Sequence, residues 1–151
     1  MRVAVASDHA GVLLKAMVAS HLRERGHDVI DLGCQASDGA VDYPDYGEAL
    51  GREVARGDAE LGVAVCATGI GIAIAANKVP GVRAAHVQDA SSARLAREHN
   101  HANVLCLGER TTGSIVALDA VDAWLTASPL PGRHERRVGK LNALDAAQVV
   151  G

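Results

Sequence analysis

At 151 residues, 48% hydrophobic and 22% charged, the chain is long enough to bury a sizeable core and too apolar for disorder, and it reads as one domain over 1–151. Aromatic side chains are scarce (no Phe, one Trp, two Tyr) and the net charge is −3, which argues against a nucleic-acid platform with its basic surface and stacking rings. Three cysteines without CxxC spacing indicate neither a disulfide framework nor a zinc site, no apolar run reaches membrane-spanning length, and Met1-Arg2-Val3 opens a strand rather than a signal peptide, so a cytoplasmic protein is expected.

In chain order, Val3 to Ser7 is a continuous apolar run, as in a parallel strand covered on both faces, and it ends in Asp8-His9-Ala10-Gly11. A helix follows with Leu14, Met17, Val18 and Leu22 on its buried stripe, Lys15, Arg23 and Glu24 away from it, and Gly26 as its cap. Val29 to Leu32 forms a second strand, Gly33 to Asp45 a polar connection carrying Asp42-Tyr43-Pro44, and Tyr46 to Arg56 a weaker helix. Leu61 to Val65 is a third strand that runs into Cys66-Ala67-Thr68-Gly69-Ile70-Gly71, and Ile72 to Asn77 continues as an apolar helix. Val82 to Val87 is the fourth strand, Ala90 to Glu98 a helix ending at His99-Asn100, and Val104 to Gly108 the fifth strand. Ile115, Leu118 and Leu125 place a helix over Gly113 to Ala127, with Asp122 interrupting its stripe. Ser128-Pro129-Leu130-Pro131-Gly132 then breaks the chain ahead of a C-terminal helix over about 133–149.

This alternation across short connections predicts an α/β fold, a parallel sheet with helices on both faces. Ligands of such sheets bind at the carboxyl ends of the strands, where Asp8-His9, Cys66 to Gly71 and Arg110 would gather. His99-Asn100 ends a helix and is expected at the opposite edge, so a second subunit would have to present it to that site.

Cys66 to Gly71 joins a strand end, a small-residue turn and a helix N-terminus. Several backbone N–H groups there lack intrahelical partners and converge on one spot, which suits an anion. A cysteine beside that positive field is expected to have its thiolate favoured. A dinucleotide fingerprint is a rival, since Gly69-x-Gly71 is followed by Asp89, but Ile74 stands where the third glycine belongs and the turn follows the third strand rather than the first. A cysteine phosphatase loop needs an arginine to close the turn, and Ala67 to Ile72 contains none; a Walker A loop fails for want of Gly-Lys-Ser/Thr. A turn chosen only for helix–sheet packing leaves Cys66 and Thr68 beside the amides unexplained. His99-x-His101 hints at a metal, but no carboxylate or cysteine completes the set.

Five motifs together carry a family resemblance: Asp8-His9-Ala10-Gly11, Asp42-Tyr43-Pro44, Cys66-x-Thr68-Gly69-Ile70-Gly71-Ile72-x-Ile74-Ala75-Ala76-Asn77-Lys78, His99-Asn100-x-x-Asn103-Val104 and Arg133-His134-x-x-Arg137. Collinear from Val3 to about Val138, the chain resembles the type B ribose-5-phosphate isomerases, a family that includes allose-6-phosphate and galactose-6-phosphate isomerases. The resemblance implies a Rossmann-like three-layer α/β/α sandwich with a five-stranded parallel sheet and an additional C-terminal helix packing on a partner subunit. It also implies a homodimer or dimer of dimers with shared active sites, acting on a phosphorylated sugar without metal or organic cofactor, and with no nucleic-acid or membrane partner.

Carried over residue by residue, the resemblance implies Cys66 as the base that moves a proton between C1 and C2 through an enediolate. The amides of Ala67, Gly69, Ile70 and Gly71 would form the anion hole, and Thr68 would supply a hydroxyl to the reacting oxygens. His99 matches the acid–base group for ring opening, helped by Asp8 of the partner subunit and adjoined by Asn100. His9, Arg110, Arg133 and Arg137 match phosphate binders, the last two at i, i+4 on one helix face, and Tyr43 matches a wall of the sugar pocket. Cys34 and Cys106 are assigned to the core and Arg136 to solvent. At position 67 the family's usual glycine is alanine, which adds a methyl near the substrate and leaves the sugar open. Ribose 5-phosphate to ribulose 5-phosphate is the expected reaction. Allose 6-phosphate, galactose 6-phosphate and the four-carbon erythrulose 4-phosphate are alternatives within the chemistry, and a non-catalytic sugar-phosphate sensor is the alternative outside it.

Overall fold

The structure, a computed structural model, describes residues 1–148. Five parallel strands, β1 (Arg2–Ser7), β2 (Asp28–Asp31), β3 (Leu61–Cys66), β4 (Ala84–His86) and β5 (Val104–Gly108), form one sheet in the order β2-β1-β3-β5-β4. Six α-helices connect and follow them: α1 (Val12–Glu24), α2 (Tyr43–Ala55), α3 (Ile70–Ala76), α4 (Ala90–Asn100), α5 (Ser114–Thr126) and α6 (Arg133–Gln148). The chain leaves β1 toward one edge and β3 toward the other, so the switch point lies between the carboxyl ends of β1 and β3.

Strand alternation divides the core into two layers. Val3, Val5, Val63, Val65, Leu105 and Leu107 face α1, α4 and α5, where Trp124 is wholly buried and its Nε1–H donates to the Ala102 carbonyl at 3.1 Å. Ala4, Ala6, Ala64, Cys66 and Cys106 face α2 and α3 with smaller side chains. Those two helices close on each other through glycine: a Cβ at Gly47 would stand 2.9 Å from Ala75 Cβ and the Ile72 carbonyl oxygen. With α1, α4 and α5 on one face and α2 and α3 on the other, the sheet forms the expected α/β/α sandwich, with the smaller side chains on the α2–α3 face.

Several elements differ from the sequence reading. Lys15 is buried, not solvent-facing, because Asp31 at the end of β2 accepts from its Nζ at 2.6 Å, while Met17 is 44% exposed. Helix α2 starts at Tyr43 rather than Tyr46, since Pro44 occupies the first turn, where its missing N–H costs nothing. Strand β4 is three residues rather than six, because Asn103 takes over ladder bonding at its amino end: its Oδ1 accepts from the Arg83 N–H and its Nδ2 donates to the Gly81 carbonyl. Helix α5 buries Ala117, Ala120, Val121 and Trp124, leaving Ile115 76% exposed. Asp122 interrupts no stripe; it bonds His21 Nε2 at 2.8 Å and Arg25 at 2.7 Å on α1. Gly26 caps α1 as expected, with the His27 N–H bonded to the Leu22 carbonyl and the Gly26 N–H to that of Arg23. The expected end of the last helix at 149 lies outside the described residues.

Candidate functional site

The turn after β3 is held from both sides. β5 continues past it, so the Glu109 N–H donates to the Cys66 carbonyl and the Arg110 N–H to that of Ala67, each at 2.9 Å. Gly69 takes a left-handed φ of 77° and heads α3, and its N–H donates to Cys66 Sγ at 3.1 Å. The Ile70 N–H donates to Thr68 Oγ1 at 3.2 Å. Cys66 is 4% exposed, on the α2–α3 side of the sheet. Ala67 and Thr68 are half-buried, and Ile70 is 51% exposed. One sulfur, one hydroxyl and a row of amides thus share the mouth of the switch point.

Other sequence-predicted residues surround this mouth. Asp8, 6% exposed, donates its N–H to the Val65 carbonyl and accepts from the Ala10 N–H at 3.0 Å, fixing the turn that follows β1. His9 is exposed, with Nδ1 placed 3.1 Å from both the N–H and the carbonyl oxygen of Val41. Where Nδ1 accepts from that N–H, Nε2 carries the proton and can donate outward. Tyr43 opens α2 with its ring over Gly71, where a Cβ would meet ring carbons at 2.7 Å. Arg110 is exposed on the turn beyond β5.

His99, Asn100, Arg133 and Arg137 are not brought to this mouth by their own chain. α4 ends where β5 begins, and the β3–β5 register pairs Gly62 with Val104 at that edge but Cys66 with Gly108 at the other. Four strand residues, about 13 Å, separate the two edges. At the far edge Arg133 and Arg137 are exposed on the first turns of α6, and Asn100 borders a groove of about 400 Å³ shared with Leu141 and Leu144 of that helix. The residue that caps α4 is His101, with a left-handed φ of 49°, and its Nε2 lies 2.9 Å from the Leu130 carbonyl oxygen. His99 is therefore free of capping duty. Its ring stacks on His134, centroids 4.2 Å apart and planes 5° from parallel.

Burial pushes the Cys106 thiol far up, and burial with the Asp38 carboxylate raises that of Cys34, so both behave as core thiols. Sequence reasoning missed Gly108 and His86. A Cβ on Gly108 would collide with Thr111 Oγ1 and the Thr68 backbone, and the His86 ring lies against Gly69 with a buried Nε2 that has no hydrogen-bond partner among the described residues. Only the unexplained histidine within Arg133-His134-x-x-Arg137 signalled His134. Among the described residues no group of three or more His, Cys, Asp or Glu is placed to hold a metal ion, and no helix is long and apolar enough to cross a membrane.

A family model described as Ribose/Galactose Isomerase matches residues 3–141. Ribose-5-phosphate isomerase B of Escherichia coli is 43% identical over 144 residues, covering 95% of this chain and 96% of the relative. The solved ribose-5-phosphate isomerase B of Clostridium thermocellum superposes with a TM-score of 0.95 at 46% identity, covering 98% of this chain and 99% of the other. That of Mycoplasma genitalium, solved with bound ribulose-5-phosphate, gives 0.92 at 40% identity, with 96% of each chain covered.

Proposed function

The chain belongs to the ribose/galactose isomerase family, and on that premise we propose that it is a cofactor-independent aldose–ketose isomerase interconverting ribose 5-phosphate and ribulose 5-phosphate. The observation that carries the reading is Cys66 Sγ at the strand end with the Gly69 N–H aimed at it from 3.1 Å. A donor so placed holds the sulfur at the mouth beside the loop amides. Cys66 as base takes a proton from C2 of the open-chain aldose and returns it to C1, while the O2 hydroxyl proton passes to O1 by way of the Thr68 hydroxyl and the enediolate oxygens between these steps meet the loop amides. His9 and Arg110 at the same mouth supply donors for the phosphate.

Ring opening breaks the C1–O bond, moving the anomeric hydroxyl proton to the departing ring oxygen as the C1 carbonyl forms. We assign this proton transfer to His99, with Asp8 and Asn100 assisting, and further phosphate contacts to Arg133 and Arg137. Because these groups sit at the far edge of their own chain, the reading takes 1–151 as one domain in a homodimer, with α6 against its partner. Leu141 at 44% and Leu144 at 61% exposure support such a contact. Three unpaired buried thiols suit a reducing cytoplasm.

A second reading, the same chemistry on galactose 6-phosphate or allose 6-phosphate, is favoured by Ala67, which adds a methyl to the half-buried loop, and by the breadth of the family. The test is Cys66→Ser, assayed on all three sugars in deuterated water. Turnover and deuterium entry at C1 and C2 should fall by about 10²–10⁴-fold, the usual contribution of a positioned base, while sugar-phosphate binding persists. Undiminished turnover would sink the assignment of Cys66. No turnover by the wild type on any sugar would leave a sensor.

A further inference from the structure

We propose that His134 is a positioning residue: its ring, stacked on His99, holds the His99 imidazole in the orientation from which it moves the ring-opening proton. This inference rests on the role assigned to His99 under the proposed function. The two rings are 35 positions apart in sequence and are brought together by a dedicated connection. The Leu130 N–H donates to the Glu98 carbonyl at 2.9 Å, His101 Nε2 reaches the Leu130 carbonyl, and Gly132 turns with φ 73° so that the Arg136 N–H can bond its carbonyl as α6 begins. The first turns of α6 consequently have two stripes. Arg133 and Arg137 are exposed, whereas His134 and Val138, also at i, i+4, are 9% and 6% exposed against α4.

Among the described residues neither ring of the stack makes a side-chain hydrogen bond, so the face-to-face contact is what fixes the plane of His99. The charged or titratable groups that act on His134 are His99 and His101 at the end of α4 and Arg133 and Arg137 on α6. Burial first, and then these neighbours, hold the His134 pKa below the usual histidine value, which keeps that ring neutral at neutral pH. A neutral neighbour matters here. Two imidazolium rings face to face would repel, and a neutral His134 removes that repulsion from the stack. A catalytic ring that must otherwise find its orientation by rotation loses the rate advantage of being held in place.

Ribulose 5-phosphate is an open-chain ketose, because the hydroxyl needed to close a five-membered ring carries its phosphate. Solvent deuterium entry at its C1 therefore reports proton transfer at carbon without ring opening, while turnover of ribose 5-phosphate requires both. The experiment compares these two rates in wild type, His134→Ala, His134→Phe and His99→Asn. In H99N, ribose 5-phosphate turnover should fall far more than deuterium entry. H134A should show the same split on a smaller scale: kcat on ribose 5-phosphate about tenfold lower, KM within about twofold, and deuterium entry within about twofold of wild type. H134F keeps a flat ring and should restore kcat to within about twofold of wild type. If H99N splits the rates and H134A does not, or if H134A lowers both together, the positioning role is wrong and the reading of His99 survives. If H134F is as slow as H134A, the stack is not the operative property, and the proposal falls. If H99N lowers both rates equally, the ring-opening role of His99 fails and the inference fails with it.

Discussion

A methyl group added at Gly69 has no free space. An alanine Cβ there would stand 2.7 Å from His86 Cδ2, 2.8 Å from the Leu107 carbonyl carbon and 3.0 Å from the Gly108 nitrogen. Two of these atoms are backbone at the carboxyl end of β5 and cannot swing aside. The left-handed φ of 77° costs a non-glycine residue about 1 kcal/mol. Overpacking adds about 1–3 kcal/mol, so G69A should lose about 2–4 kcal/mol and melt about 10 °C lower. The same displacement moves the amides of Gly69 and Ile70, and a misplacement of about 1 Å is enough to lower kcat about 100-fold. Gly57 provides the control, because its φ of 79° is nearly identical and a Cβ there meets nothing within 4 Å. G57A should therefore lose about 1 kcal/mol by backbone strain alone and keep full turnover. The assay is urea unfolding of both variants together with turnover measured well below either melting temperature. A G69A protein as stable as G57A and as active as wild type would refute the claim that this loop is wedged in place.

The Lys15–Asp31 pair is asymmetric, with side chains 3% and 30% exposed. D31N strands the buried amine and should cost about 3 kcal/mol in urea unfolding, whereas K15M leaves a carboxylate that keeps water and the Gly33 N–H and should cost about 1 kcal/mol; equal losses would contradict this. Glu109 Oε2 accepts from the Leu14 N–H at 2.8 Å, so a strand-end carboxylate caps α1, and E109A should lower stability by about 1 kcal/mol, or about 3 °C in a thermal melt. His134 also gives a pH dependence: its folded pKa is depressed, so the unfolded chain binds more protons. Stability is full above the unfolded value of about 6.5 and is lost as pH falls through the lower folded value. H134F should flatten that part of the curve in urea midpoints taken from pH 7 to pH 5.

The sheet was legible because its strands are continuous apolar runs; β5 falls on Val104–Gly108, the residues the pattern marks. The face of α5 was misread because alanine carries little hydrophobic signal. Ala117 and Ala120 bury completely beside Trp124, while the larger Ile115 points outward. Lys15 was assigned to solvent because sequence spacing cannot show a carboxylate on a neighbouring strand. The mouth of the site was readable for the opposite reason: its donors are backbone amides on a short contiguous turn, and glycine spacing marks such a turn directly. His86 escaped notice because its proximity to Gly69 arises where the turn after β3 lies across the end of β5 beside β4, and the stack of His134 on His99 arises from a proline-bounded connection that folds back over α4.

The close approach of α2, α3 and the small-residue layer beneath them has a consequence for anyone wishing to redesign this protein toward another sugar. A Cβ at Gly69 or Gly108 would stand 2.7 Å or less from its nearest neighbour, so the glycines around the turn after β3 leave no room to give. Substitutions there register as misfolding before they register as altered preference. Tolerance is concentrated at the rim instead, where Tyr43 and Arg110 are exposed. A library aimed at sugars of different length belongs on those two positions, with the glycines of the turn left untouched.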